Sequence, residues 1–288
     1  MSATKEENDV GLVGVGLLGT ALAERMLGAG YAVRGHDTSD TAASRISQLG
    51  GRTAASITEL GKECRTIVLC LPDSDVVEEV IKQLSPVIGP HTLLIDTTTG
   101  DPTRTVESSR QLADTQIELV DAAVLGSSEV VRQGNGVLMV GASDTAFGAC
   151  SNLLESICQT VHHLGPTGSG QQMKLVANLV LGLNRAVLAE GLHFADSVGL
   201  DLTMVLSILK SGATWSRVMD AKGQKMIDGN FEPQARLSQH LKDVRLILRH
   251  AAEAGSDLPL SELHQMLLER VEQDGGGDLD NSAVIRAW

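Results

Sequence analysis

Short β-branched and apolar runs alternate with helix-period stretches along the first 165 positions of the chain. "VGLVGV" (10–15) predicts a buried strand, and "GTALAERMLGAG" after it predicts a helix that Gly28 and Gly30 stop. "YAVRGHD" (31–37) predicts the next strand, with a helix after it to about residue 49. "TIVLCL" (66–71) reads as a third strand with Pro72 just past its end, and "SDVVEEVIKQL" as the following helix. The strand "TLLIDTT" (92–98), the helix "PTRTVESSRQLA" and the strand "IELVDAAV" (117–124) continue the alternation. "GVLMVGA" (136–142) and "VHHLG" (161–165) close it.

After about Gly165 the strand patterns stop. A long, mostly apolar helix from Gly168 to Asp201 comes first. "LTMVLSILKSG", "TWSRVMDAKGQKMIDG", "SQHLKDVRLILRHAAEAG" and "SELHQMLLERVEQDG" follow at helical period. "DGGGDLDNS" (274–282) reads as a flexible Gly/Asp surface turn. The expected fold is α/β: an N-terminal Rossmann-type doubly wound parallel sheet, then an all-α C-terminal domain, joined through the long interdomain helix. The expected domains are 1–165 and 166–288, with Gly165–Gly170 as the hinge.

A chain of 288 residues has room for one or two such domains. With two Trp, one Tyr and three Phe, its core has to be built from Ala, Val, Leu and Ile. That suits buried parallel strands and close-packed helices better than a base-stacking surface. A net charge of −13 also opposes a polyanionic partner, so no nucleic acid is expected. Cys64, Cys70, Cys150 and Cys158 form no CxxC pair and sit in apolar runs, as buried thiols of a reducing compartment do. The N-terminal "MSATKEENDV" lacks the apolar stretch of a signal peptide. Leu175 to Leu192 is interrupted by Asn178, Asn184, Arg185 and Glu190, too polar for an ordinary membrane span. A cytoplasmic protein without membrane contact is expected.

Gly14, Gly16 and Gly19 spell GxGxxG between the first predicted strand and the first predicted helix. In that setting glycines permit a tight turn, and backbone N–H groups at the helix N-terminus can hold a pyrophosphate. Leu17 and Leu18 lie inside the turn; the alternative is a glycine-rich turn without ligand. Asp37 closes the second strand 18 residues after Gly19, placed to accept from ribose hydroxyls. Thr38 and Ser39 follow it, and no Arg or Lys appears before Arg45. Asp37 would repel a 2′-phosphate, so NAD is favoured over NADP unless an arginine arrives from elsewhere. On this basis 1–165 is the dinucleotide-binding domain and 166–288 a helical substrate and oligomerisation domain.

The eight histidines are scattered and no zinc-ligand constellation is present, so the acid/base of a dehydrogenase here is expected to be a side chain. Lys174 and Asn178 stand one turn apart near the start of the long helix, at the expected domain junction. A lysine serves as acid/base when burial or positive charge brings its pKa down from about 10.4, and an asparagine can hold the amine or a substrate. Periodicity leaves a second reading open, a lysine snorkelling from a buried helix beside a satisfied asparagine.

Nearly end to end, the chain resembles the β-hydroxyacid dehydrogenase family, which includes 3-hydroxyisobutyrate, tartronate semialdehyde and threonate dehydrogenases. "GLVGVGLLGTALAERMLGAG" resembles the family's glycine signature, with Leu18 where methionine is usual. "LPDSDVVEEV", containing Leu71, Pro72 and Val76, resembles the segment by the adenine-side ribose, and "DTTTGDP" (96–102) the D-x-S-T-x-x-P cofactor loop. "GPTGSGQQMKLVAN" matches G-x-x-G-x-G-x-x-x-K-x-x-x-N, "FEPQARLSQHLKDVRL" the later segment ending in K-D, and "DLDNSAVI" the C-terminal D-x-S-A motif. The resemblance implies Lys174 as proton shuttle and Asn178 as its orienting and substrate-contacting partner. It also implies Thr99, with Thr98 beside it, as a cofactor contact and Lys242 beside the nicotinamide. It implies a dimer or tetramer packed through the C-terminal helices.

The substrate loop departs from the family. Its D-A-P-V-S-G-G stands here as "DAAVLGS" (121–127), so Leu125 replaces the carboxylate-binding serine and Ser127 the second glycine. Val130 replaces a further glycine, and Ala235 the usual phenylalanine before the later lysine. Replacing that hydroxyl removes a hydrogen bond and narrows the pocket. Backbone N–H groups near Gly126 and Ser127, or the Ser127 hydroxyl, are left to bind a carboxylate. The expected reaction is NAD-dependent interconversion of a β-hydroxyacid and its aldehyde or ketone. Leu125 also admits a C=N reductase using NADPH, and the altered loop admits a dinucleotide sensor without turnover; Lys174 opposes both.

Overall fold

The computed structural model describes residues 8–288, and residues 1–7 of the polar N-terminal segment lie outside them. The chain forms two compact units, one extending to Lys174 and the other Leu175–Trp288.

The strands of the first unit are β1 (Asp9–Val13), β2 (Ala32–His36), β3 (Arg52–Thr53), β4 (Thr66–Leu69), β5 (Leu93–Asp96), β6 (Glu118–Leu125), β7 (Val137–Gly141) and β8 (Thr160–Gly165). They lie in the order β3-β2-β1-β4-β5-β6-β7-β8. The first six strands in this order are parallel throughout, so their carboxyl ends share one edge of the sheet. β7 runs antiparallel to β6, a departure from the all-parallel expectation. The 126–136 connection is too short for the crossover that a parallel neighbour needs. β8 then pairs parallel to β7.

Helices cover both faces. On one side α1 (Leu17–Gly28) and α7 (Asp144–Ile157) bury Leu22, Met26, Cys150 and Leu154 against Leu12, Val68, Ile95 and Val140. On the other, α3 (Ile57–Glu63), α4 (Ser74–Leu84) and α5 (Pro102–Ala113) bury Leu60, Val80, Leu84 and Leu112 against Ile67, Leu69 and Leu94. Neighbours such as Ile67 and Val68 point to opposite layers, as the two-residue period of a strand requires. Strand β3 and helices α3 and α7, with α6 (Ser128–Arg132), add to the elements that the hydrophobic pattern predicts. Small residues blur the helical period of α7, and its start is marked by Ser143, whose hydroxyl accepts from Ala146 N at 3.1 Å. α2 is Asp40–Gln48.

α8 (Ser169–Ser197) carries the chain from one unit into the other. By length and composition it could cross a membrane, with a mean hydropathy of 1.4 over an 18-residue window despite its polar interruptions. Here Leu188, Ala189 and Leu192 are core residues of the helical unit, packed with Leu241 and Val244 of α11 (Leu237–Glu253) and Leu268 of α12 (Pro259–Val271). α9 (Leu202–Ser211) and the short α10 (Gln224–Asp228) complete this unit. The helix expected over 214–229 is shortened to a wide-turn stretch, Met219–Gly223, followed by α10.

Residues 274–282 end differently from the flexible surface turn that their glycines suggest, because Asp280 and Ser282 are fully buried. Lys222 Nζ donates to both Asp280 oxygens at 2.9 Å, Ser282 Oγ donates at 2.7 Å and Gln234 N at 3.0 Å. Burial by itself would push this carboxyl up, but the lysine and these N–H and O–H donors outweigh it and hold the pKa at about 2. A depressed carboxyl adds stability above its ordinary pKa and loses it as pH falls towards the folded value. Asp280→Ala, which strands Lys222, is expected to cost about 3 kcal/mol at pH 7. In urea denaturation that difference should shrink steadily between pH 4 and pH 2.

Candidate active site

The glycine turn lies at the carboxyl edge of β1, where the strand order reverses between β1 and β4. Gly14 takes a φ of +94°, open to glycine, and its N–H donates to His36 O at 2.9 Å. A Cβ there would strike the Cys70 carbonyl, and one on Gly19 would strike the Gly14 carbonyl. Gly16 faces open space and precedes α1, and no side chain caps that helix. The first N–H groups of α1 therefore suit an anion, the donor set that a pyrophosphate requires. Leu17 is exposed beside them and Leu18 half-buried.

One carboxylate ties this turn to β2. Asp37 Oδ2 accepts from Val15 N at 2.7 Å and its Oδ1 from Ser39 N at 2.8 Å. Each oxygen keeps a lone pair for a ribose hydroxyl. Thr38 beside it is exposed. Arg45 also reaches the turn, its Nη1 donating to Val15 O at 3.2 Å, a link that spacing alone does not reveal.

The ends of β4 and β5 are joined in the same way. Leu71 N donates to Thr98 Oγ1 at 3.1 Å, and Thr98 N to Asp96 Oδ1 at 2.9 Å. Thr98 is buried with its N–H, carbonyl and hydroxyl all bonded inside the protein, whereas Thr99 is half-buried. Pro72 is exposed, and Val76 sits in the first turn of α4, its N–H capped by Asp73 at 3.1 Å.

Beside Asp96 in the sheet stands Asp121 of β6, and both are buried. Asp121 accepts from Gly168 N at 2.6 Å and Gln171 N at 2.7 Å, at the start of α8. Burial pushes the Asp121 carboxyl up to about 6 although these backbone donors favour its charged form. Burial likewise raises Asp96 to about 7; Thr98 lowers it and the neighbouring Asp121 charge adds to the rise. Both aspartates open segments that the family resemblance singles out, 96–102 and 121–127, but nothing in a strand pattern shows that either is buried or what it bonds.

Lys174 is half-buried, and its Nζ donates to Val124 O at 2.7 Å, the carbonyl just before Leu125. Leu125 is half-buried, while Gly126 and Ser127 are exposed. The Ser127 hydroxyl caps α6, accepting from Val130 N at 3.4 Å. All of these groups belong to the first unit.

In the second unit Asn178 is buried and donates through Nδ2 to Asp243 Oδ2 at 3.1 Å. Lys242 Nζ lies 3.3 Å from the other oxygen of Asp243. Asp243 thus joins two residues expected at the site. It is the D of the K-D pair, whose role a charged helix face conceals. Gln171 is equally hidden, because two adjacent glutamines carry no sign of which is buried.

Strand order, glycine turn and uncapped helix define a Rossmann-type dinucleotide-binding domain. Residues 9–165 match the family described as the NAD binding domain of 6-phosphogluconate dehydrogenase. Residues 168–288 match the family described as NAD-binding of NADP-dependent 3-hydroxyisobutyrate dehydrogenase. The 2-(hydroxymethyl)glutarate dehydrogenase of Eubacterium barkeri is 29% identical over 283 residues, covering 97% of this chain and 94% of that one. The 2-hydroxy-3-oxopropionate reductase of Escherichia coli K12 is 27% identical over 281 residues, 96% of each. The crystal structure of a 3-hydroxyisobutyrate dehydrogenase from Salmonella typhimurium superposes with a TM-score of 0.90 at 24% identity, over 97% of this chain and 99% of that one. The chain belongs to the β-hydroxyacid dehydrogenase family and is an NAD(P)-dependent dehydrogenase acting on CH–OH groups.

The raised carboxyls have a measurable consequence. A carboxyl whose folded pKa lies above its ordinary value favours the protonated folded state, so its contribution to stability grows as pH falls through the folded pKa. Asp96→Asn, which mimics the protonated form, should flatten this response. Thermal unfolding of wild type and variant between pH 8 and pH 5 should shift in favour of the wild type as pH drops through about 7.

Proposed function

We propose that this enzyme interconverts a β-hydroxyacid, of the 3-hydroxyisobutyrate or sugar-acid kind, and its aldehyde or ketone, with Lys174 as general acid/base and NAD as the preferred cofactor. The observation that carries this reading is the Lys174 amine, anchored 2.7 Å from the Val124 carbonyl at the mouth of the substrate loop. An amine held there takes the hydroxyl proton during oxidation and returns it during reduction. The nicotinamide, when bound, takes or supplies the hydride.

Asn178 lies one helical turn beyond Lys174 on α8 and is the orienting and substrate-contacting group. Its amide is held by Asp243, which also pairs with Lys242, the cation assigned beside the nicotinamide. Gly126 and Ser127 offer exposed backbone to a substrate carboxylate, and the Leu125 side chain favours a substrate with an apolar group near that carboxylate. The glycine turn with Leu17 and Leu18, Asp37 and Thr38, the Leu71–Pro72–Val76 segment, and Thr98 and Thr99 form the dinucleotide site, within residues 1–165. The preference for NAD rests on Asp37, whose charge opposes a 2′-phosphate; Arg45, bonded to the turn, is the group through which NADP would gain. Residues 166–288 serve substrate binding and oligomerisation. Val187, Phe194, Met204, Ile208, Leu263 and Met266 of that unit are exposed apolar residues, which supports a homodimer or homotetramer.

The test is NAD and NADP reduction at 340 nm across a panel of 3-hydroxyacids and sugar acids at mildly alkaline pH. NAD-linked turnover is expected, with kcat lowered at least about 100-fold in Lys174→Ala. NADPH-linked turnover of imines alone, a reading that Leu125 favours, would overturn it. So would tight NADH binding without turnover of either class.

A further inference from the structure

The first turns of α8 are bonded to the sheet at more points than helix formation needs. Gly168 and Gln171 donate their N–H groups to the two oxygens of Asp121. A Cβ on Gly170 would lie 2.7 Å from Asp121 Oδ2 and 3.0 Å from Gly141 N, so this approach is open to glycine alone. Three residues after Gln171, Lys174 donates to Val124 O, three residues after Asp121. α8 and β6 are thus fastened at both ends of matching segments, 171–174 and 121–124.

Gln171 does more than join this frame. Its side chain is fully buried, donating through Nε2 to Thr98 O at 2.7 Å and accepting from Gly100 N at 3.0 Å through Oε1. Those two backbone groups flank Thr99, and the Thr98 hydroxyl accepts from Leu71 N. One residue therefore grips both sides of the expected cofactor loop with its amide, and the lysine-bearing helix with its own backbone. The backbone bond to Asp121 is open to any residue with an N–H, so what glutamine adds at this position is the pair of amide bonds to the loop.

We propose that Gln171 is a positioning residue that couples the 97–101 loop to Lys174, so that a dinucleotide held against the loop sets the amine for proton transfer. The inference rests on the reading of Lys174 as acid/base. Gln171 touches neither substrate nor cofactor. It acts by removing slack between the loop and the second turn of α8, and misplacing an acid/base by about 1 Å costs on the order of 100-fold in rate.

Hydrogen–deuterium exchange with and without NADH tests the coupling without any substrate. In the wild type, NADH should slow exchange in the 97–101 loop and also in 168–176; in Gln171→Met the second effect should vanish while the first persists. For the hydroxyacid that wild type turns over best, Gln171→Met should lower kcat on the order of 100-fold. KM should change little and the solvent deuterium effect on kcat should increase. Gln171→Asn, which keeps the amide on a shorter stem, should show the same pattern to a lesser degree and carries the test if the methionine variant does not fold. Unaltered protection of 168–176 in the variants, or a loss confined to NADH affinity with normal kcat at saturation, would overturn the proposal. Retained activity in Lys174→Ala would instead overturn the lysine assignment beneath it.

Discussion

The buried Asp121 carboxylate is the fastening that fixes the start of α8 against the sheet. It lies at the middle of β6, beside Asp96 of β5, and receives the opening N–H groups of α8. A helix start normally leaves such donors to water or to a local side chain. Here a strand residue some 47 positions away in sequence supplies the acceptor, so the beginning of α8 is located by the sheet. The cost appears in the carboxyl itself, which burial pushes up to about 6 despite its donors. A buried charge is tolerated when hydrogen bonds meet it, and that condition forces backbone within hydrogen-bond distance, hence Gly170 and Gly141 with no side chain between.

The same logic of carboxylates holding backbone recurs. Asp37 binds the glycine turn to β2, Asp96 binds the loop after β5, and Asp280 gathers Lys222 and the chain at Gln234 in the helical unit. At each of these places an irregular backbone segment needs a rigid acceptor to keep it in one conformation. Burial pushes both Asp96 and Asp280 up. For Asp280 the Lys222 amine and its N–H and O–H donors outweigh it and hold the carboxyl at about 2, whereas for Asp96 the Thr98 donors do not, and with the neighbouring Asp121 charge it rises to about 7.

Lys174 and Gln171 illustrate how a motif divides its labour. In "GSGQQMKLVAN" the lysine and asparagine stand out because an amine and an amide are unexpected in an apolar helix. The glycines read as flexibility, yet Gly170 is present because the sheet is too close for anything larger. Nothing in the sequence separates the first glutamine from the second, yet it is the first that is fully buried. The Ser127 hydroxyl, a candidate to bind a carboxylate where Leu125 cannot, is engaged as a helix cap.

The succession of strands and helices, the glycine turn with its acidic partner, and the family are all legible in the chain, because period, turn chemistry and motif order are local properties. α4 and α5 appear at the residues their patterns predict, Ser74–Leu84 and Pro102–Ala113. The antiparallel turn of β7, the burial of Asp280 in an apparently loose loop, and the bonds from Asp121, Gln171 and Asp243 were decided only by tertiary structure. Each depends on which distant group meets a buried donor or acceptor. A single side chain in one dimension carries no record of its partner, and the free energy of leaving that partner unmet is what selects it.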